Sequence, residues 1–112
     1  IYANPNSSNW FHNLRNLDSL SNIDLLNTSK VTNMRYMFAQ TGVLSKVFTL
    51  DLGNNFDTSN VTNMYMMFSW TGYASSSFKL DCSNWNVNKV TSYVMFNNYS
   101  ESKVKPPLWK NW

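Results

Sequence analysis

The side chains able to do chemistry are few and stand apart. His12 is the only histidine and Cys82 the only cysteine, so a catalytic triad or a histidine-based metal centre has one member to build from. A disulfide framework and a multi-cysteine zinc site are excluded on the same ground. A nucleophilic Cys82 would need a base beside it, and the surrounding segment offers none. Asp51 and Asp81 stand in like surroundings thirty residues apart. Two carboxylates fall short of the roughly six to eight oxygens that calcium takes, so both are read as hydrogen-bonding at a strand and its turn. No catalytic, cofactor or metal residue is expected, and the chain is read as a non-enzyme.

What remains is an unusual supply of aromatic side chains, 16% of the chain, set on a framework that repeats. At an offset of thirty, Thr28–Gly42 falls on Thr58–Gly72, with ten of fifteen positions identical. Chance would give about one or two. A degraded copy follows at Val90–Phe96, one residue short between its valine and its Met-Phe pair. The links between copies repeat as well: Phe48-Thr-Leu-Asp-Leu52 corresponds to Phe78-Lys-Leu-Asp-Cys82.

The links alternate apolar with polar residues, which predicts short strands with Phe48, Leu50 and Leu52, and likewise Phe78, Leu80 and Cys82, on one face. In the repeated block Val31, Met34, Met37 and Phe38, like Val61, Met64, Met67 and Phe68, are spaced three, six and seven apart. That spacing predicts one side of a short helix, with Thr28 or Ser29 and Thr58 or Ser59 as N-caps and Gly42 and Gly72 in the left-handed turn behind it. Val90, Met95 and Phe96 would hold the matching places in the last copy. Neither apolar face is covered within one copy, so neighbouring copies are expected to lay strand beside strand and helix beside helix. The predicted fold class is therefore α/β, a solenoid with a period of about thirty residues.

The expected organisation is a single domain: 1–19 as an N-terminal cap or divergent unit, 20–49 and 50–79 as full repeats, 80–96 as the degraded third, and 97–112 as a C-terminal cap or tail. Leu108, Trp109 and Trp112 would form an apolar lid.

Composition narrows the partner. Only 13% of residues are charged and the net charge is +3, with Lys103, Lys105 and Lys110 close together near the end. The body lacks the basic stripe a nucleic-acid binder needs. No apolar run approaches the roughly 18 residues that span a bilayer, so membrane insertion is not expected, and any leader is expected to have been removed or left behind in a longer parent protein.

The string Thr-Ser-Asn-Val-Thr-Asn-Met-x-x-Met-Phe at residues 58–68, preceded by Leu50-Asp-Leu52 and Phe56-Asp57, resembles the BspA-type leucine-rich repeat of bacterial surface proteins. The resemblance covers about residues 20–96 and implies a leucine-rich-repeat-like solenoid, secreted or attached to the bacterial surface, and adhesion to host or microbial proteins. It implies no catalytic residue and no particular ligand.

The two good copies differ where packing does not dictate the residue. Arg35 becomes Tyr65, Tyr36 becomes Met66, Gln40 becomes Trp70 and Val43 becomes Tyr73. Exposed Trp and Tyr are enriched in binding hot spots, so Tyr36, Tyr65, Trp70 and Tyr73 are the expected contacts for a protein partner. Packing beneath the loop at 73–77 is the competing use. A carbohydrate ligand for the same rings, or a spacer segment with no ligand, are the alternative functions.

Overall fold

A left-handed residue at every fourth position decides the local structure of each repeat. Tyr36 and Gln40 have φ of 58° and 61°, Met66 and Trp70 of 53° and 63°, Met95 and Tyr99 of 58° and 63°. An α-helix needs right-handed dihedrals throughout, so none forms. The chain makes successive tight turns instead, closed by Met37 N–H to Met34 C=O (3.1 Å), Ala39 to Tyr36 (3.1 Å) and Thr41 to Phe38 (3.1 Å). Tyr36 and Gln40 each sit third in a four-residue turn, the place where a type II turn requires positive φ.

The computed structural model describes residues 1–109, and it overturns the expected α/β solenoid. Among these residues the only helix is a three-residue 3-10 turn at Ile23–Leu25. The strands are two residues long: β1 Ser19–Leu20, β2 Thr49–Leu50, β3 Leu80–Asp81 and β4 Val104–Lys105. They form two separate parallel pairs, β1 with β2 and β3 with β4. The expected ladder from Phe48–Leu52 to Phe78–Cys82 is missing, since β2 and β3 are not hydrogen-bonded neighbours. The result is a small compact domain of 34 × 33 × 21 Å.

The expected N-caps have other partners. Thr28 Oγ1 donates to Asp57 C=O (3.0 Å) and accepts from Asp57 N–H (2.8 Å), while Thr58 Oγ1 donates to Asn86 C=O (2.8 Å). Asn33 and Asn63 serve their own turns, accepting from Arg35 N–H and Tyr65 N–H (both 2.9 Å) through Oδ1. These are Asx turns, which hold the backbone where a helix would otherwise start.

Equivalent turns are joined directly. Tyr36, Phe38 and Gln40 N–H donate to Tyr65, Met67 and Ser69 C=O (3.0, 2.9 and 2.8 Å); Met66, Phe68 and Trp70 donate to Val94, Phe96 and Asn98 (3.1, 2.7 and 2.8 Å). A fourth, earlier block joins by the same rule: Asn9, Phe11 and Asn13 donate to Arg35, Met37 and Ala39 (2.9, 2.8 and 2.9 Å). Isolated parallel bridges Asn6↔Asn33↔Asn63↔Ser92 fix the register. Residues 13–20, whose leucines fall at steps of three, form turns and extended chain that lead into β1.

The side chains of these blocks make the interior. Val31, Met34, Met37, Phe38, Phe48, Val61, Met64, Met67, Phe68, Cys82 and Val90 are completely buried, and Leu50, Leu52, Phe78 and Phe96 nearly so. Each such Phe, Leu or Met contributes about 1.5–3 kcal/mol. Phe11, Phe38 and Phe68 lie ring on ring at 5.5 and 5.3 Å, and Phe96 meets Phe68 edge-on at 5.2 Å. Leu80 is half-buried against this core. Met95 departs from expectation and is 51% exposed. The shortened block is registered from its valine, so Phe96 takes the place of Met67 and Met95 that of Met66, on the outer, left-handed position. At the C-terminal end Trp109 packs on Tyr93 and Phe96 (4.3 and 5.1 Å) while Leu108 is exposed. The expectations for Lys110 and Trp112 fall outside the described residues.

Candidate functional site

The left-handed positions lie along one face, because the bonds between blocks put each above its counterpart. That face carries Ser8, Asn9, His12 and Asn13 in the first block, then Arg35, Tyr36 and Gln40, then Tyr65, Met66 and Trp70, then Val94, Met95 and Tyr99. It runs from polar and cationic at one end to apolar at the other.

All four residues expected to meet a partner stand here, in two groups. Tyr36 and Tyr65 meet edge to face at 5.6 Å, with His12 5.7 Å from Tyr36. The Arg35 guanidinium lies over both tyrosine rings, 4.9 and 5.4 Å from their centroids. This is a cation–π arrangement that holds the arginine along the ridge. Trp70 lies 4.8 Å from Tyr73 and stacks on Tyr99 at 4.1 Å with 18° between planes. Arg15 Nη1 donates to Gln40 Oε1 (2.7 Å) at the polar end.

Tyr36, Tyr65 and Trp70 are half-buried and Tyr73 is exposed. The expected contacts therefore serve packing and surface together. The repeat comparison did not single out Val94 and Tyr99 and placed Met95 in the core, yet each of the three is more than half exposed. The signal was available: aligning the last copy from Val90 alone places Tyr99 opposite Trp70. These three join Tyr73 and Trp70 in an uncharged apolar area at one end of the ridge.

Elsewhere an open groove of about 1150 Å³ is bordered by Asp24, Asp51, Asp57 and Asp81. These carboxylates serve the backbone: Asp51 accepts from Gly53 N–H (2.9 Å), Asp24 from Asn54 (3.2 Å), Asp57 from Ser59 (2.8 Å) and Asp81 from Ser83 (2.8 Å). Hydrogen bonds from Ser59 and Ser83 hold the carboxyls of Asp57 and Asp81 below the usual range, side-chain bonds first and backbone bonds second. Cys82, which follows Asp81 in the chain, has no exposed surface. Burial, and secondarily the charge of Asp81, pushes its thiol far up. A thiol so protonated is a small hydrophobe and a poor nucleophile. Among the described residues no group of three or more His, Cys, Asp or Glu is placed to hold a metal ion, and no helix is long and apolar enough to cross a membrane.

No curated protein and no solved structure matches the chain. A family pattern does match, over residues 5–111, and those limits take in all four joined blocks from Asn6 to Tyr99 together with β4. The chain accordingly belongs to the family described as "Mycoplasma protein of unknown function, DUF285".

Proposed function

We propose that this domain is a non-catalytic binding module of a bacterial surface protein, and that it contacts a protein partner through the apolar end of the ridge. The observation that carries the reading is the Trp70–Tyr99 stack flanked by Tyr73, with Val94 and Met95 beside it. Preformed aromatic clusters supply contact area with little loss of side-chain freedom on binding, and contiguous exposed apolar patches mark interaction sites. The BspA-type resemblance of residues 58–68 supports the extracellular or wall-attached setting.

Ring orientation favours a protein over a glycan. A sugar lies flat on an open ring face, whereas Trp70 and Tyr99 face one another and Arg35 covers Tyr36 and Tyr65.

The test immobilises the chain and a Tyr73→Ala/Tyr99→Ala variant, both positions being about half exposed, and exposes each to purified matrix and serum proteins and to a glycan array. Saturable binding of one protein, weakened at least about tenfold in the variant at an unchanged fold, is the expected outcome. Binding that the variant retains in full removes the ridge from consideration. Silence on proteins with a response on glycans transfers the role to carbohydrate, and silence on both leaves a spacer.

A further inference from the structure

The two ends of the joined blocks are complementary. Within the molecule each block donates four alternate N–H groups to four C=O groups of the next. At the last block three of the corresponding donors, the amides of Met95, Asn97 and Tyr99, have no acceptor among the described residues. At the first block the corresponding acceptors are the carbonyls of Ser8, Trp10 and His12, which have no donor there. Both rows lie at partly or fully exposed residues.

From this we infer that the domain associates head to tail with a second copy of itself, the last block of one molecule donating to the first block of the next. The register follows the bonds already made inside the chain. Met95 N–H meets Ser8 C=O, Asn97 meets Trp10 and Tyr99 meets His12, as Met66, Phe68 and Trp70 meet Val94, Phe96 and Asn98 within one molecule. Side chains continue in the same columns, Val94 against Ser8 and Tyr99 against Asn13. Rows of unpaired backbone groups are templates for pairing with another chain.

The interior columns meet as well. The bridge pattern puts Ser7 in the place held by Met34, Met64 and Tyr93 in the other blocks. Ser7 is far smaller than any of these, and the Trp109 ring already lies over Tyr93 at 4.3 Å. At the join Trp109 fills the volume that a methionine fills between the inner blocks. The contact uses different surfaces on the two partners, so it does not close and chains can lengthen. It shares Val94, Met95 and Tyr99 with the surface proposed for a protein partner, and it is tested on the chain alone, with no such partner present.

The experiment is sedimentation velocity on the chain from about 10 μM to about 1 mM, the range where so small a contact is populated. The expected result is a weight-average mass that climbs past twice 13.0 kDa without levelling at a dimer. A Ser8→Lys/Val94→Lys variant, which sets like charges against each other across the join, is expected to stay monomeric, and the Ser8→Lys single variant controls for the repulsion that Lys at position 8 also meets from Arg35 within the molecule. A mixture of the single variants Ser8→Lys and Val94→Glu is expected to associate at least about threefold more tightly than the unaltered chain. Both positions are partly or fully exposed, and circular dichroism checks that each variant folds. A monomer at every concentration overturns the inference, as does a dimer that ignores both pairs of substitutions.

Discussion

The ring of Phe48 occupies the space that any side chain on Gly42 would need: a Cβ built there stands 2.1 Å from Cδ1 of the ring. Gly72 repeats the relationship with Phe78 at 2.5 Å, and both glycines have positive φ, 64° and 60°. The left-handed turn that ends each block and the aromatic anchor of the following link thus share one volume. Gly42→Ala combines a left-handed alanine, about 1–2 kcal/mol, with overpacking of a completely buried ring, about 1–3 kcal/mol. The expected loss is about 2–5 kcal/mol, read from the urea midpoint, and Gly72→Ala is expected to behave alike. Loss below about 0.5 kcal/mol at both sites would mean that the rings move aside freely.

Ser69 gives the opposite expectation. Its hydroxyl is buried with no hydrogen-bond partner among the described residues, and the residue in the same place one block earlier is Ala39. An unsatisfied buried hydroxyl costs about 1–3 kcal/mol. Ser69→Ala is expected to raise stability by about 1 kcal/mol by the same accounting, seen as a higher urea midpoint with an unchanged slope. A lower midpoint would show that the hydroxyl is paired in solution.

The thirty-residue period and the aromatic differences between copies were legible in the sequence, as was the buried apolar set except for Met95 and, in part, Leu80, whereas the helices read from it were not there. Val31, Met34, Met37 and Phe38 are buried as their spacing required, but a run of tight turns with an outward left-handed residue at every fourth position buries the same spacing as a helix does. The residue types at those positions concealed this. Tyr36, Gln40, Met66 and Trp70 are not residues that favour positive φ. Asn9 and Asn13 are, and they stand at the equivalent places in a first block whose similarity to the others is too low to recognise by identity. The missing β2 to β3 pairing had no sequence signal, since Phe48–Leu52 and Phe78–Cys82 alternate alike. The candidate ridge was legible in its central part, through Tyr65, Trp70 and Tyr73. Its apolar end was hidden by the deleted residue, which moved Met95 from the expected core to the surface.

Cys82 links stability to alkaline pH. Its thiol is held protonated in the folded domain by burial first and by the charge of Asp81 second, while in the unfolded chain it ionises near pH 8.5. A folded-state value above the unfolded one means full stability below about pH 8.5 and a falling stability above it. The unfolding free energy is expected to fall between roughly pH 8.5 and 10 in the native chain, and a Cys82→Ala variant is expected to lack that part of the decline. At pH 8 the native thiol should resist iodoacetamide except through unfolding. Rapid labelling would place the thiol at the surface.

Asp57 and Asp81 act at the other end of the scale. Both have folded-state values below the unfolded one, for which the leading cause is hydrogen bonding from Ser59 and Ser83. Their contribution is present above about pH 3.9, the unfolded value, and is lost as pH falls through the folded one. Asp57→Asn and Asp81→Asn variants, whose amide oxygens still accept from the turn, are expected to show a shallower acid limb than the native chain with near-native stability at pH 7. An identical acid limb in the double variant would assign acid sensitivity to other carboxylates.

The first and last described residues lie on opposite outer blocks, with the Ile1 C=O accepting from Asn27 N–H at 2.8 Å and Trp109 resting on Tyr93 and Phe96. Tension applied between them enters through one thread of backbone at the rim of an outer layer, so the bonds along that layer open in sequence instead of sharing the load. Each layer that lets go releases about 100 Å of extended chain. Pulled from both sides, the domain would lengthen stepwise at modest force, behaving as a shock absorber.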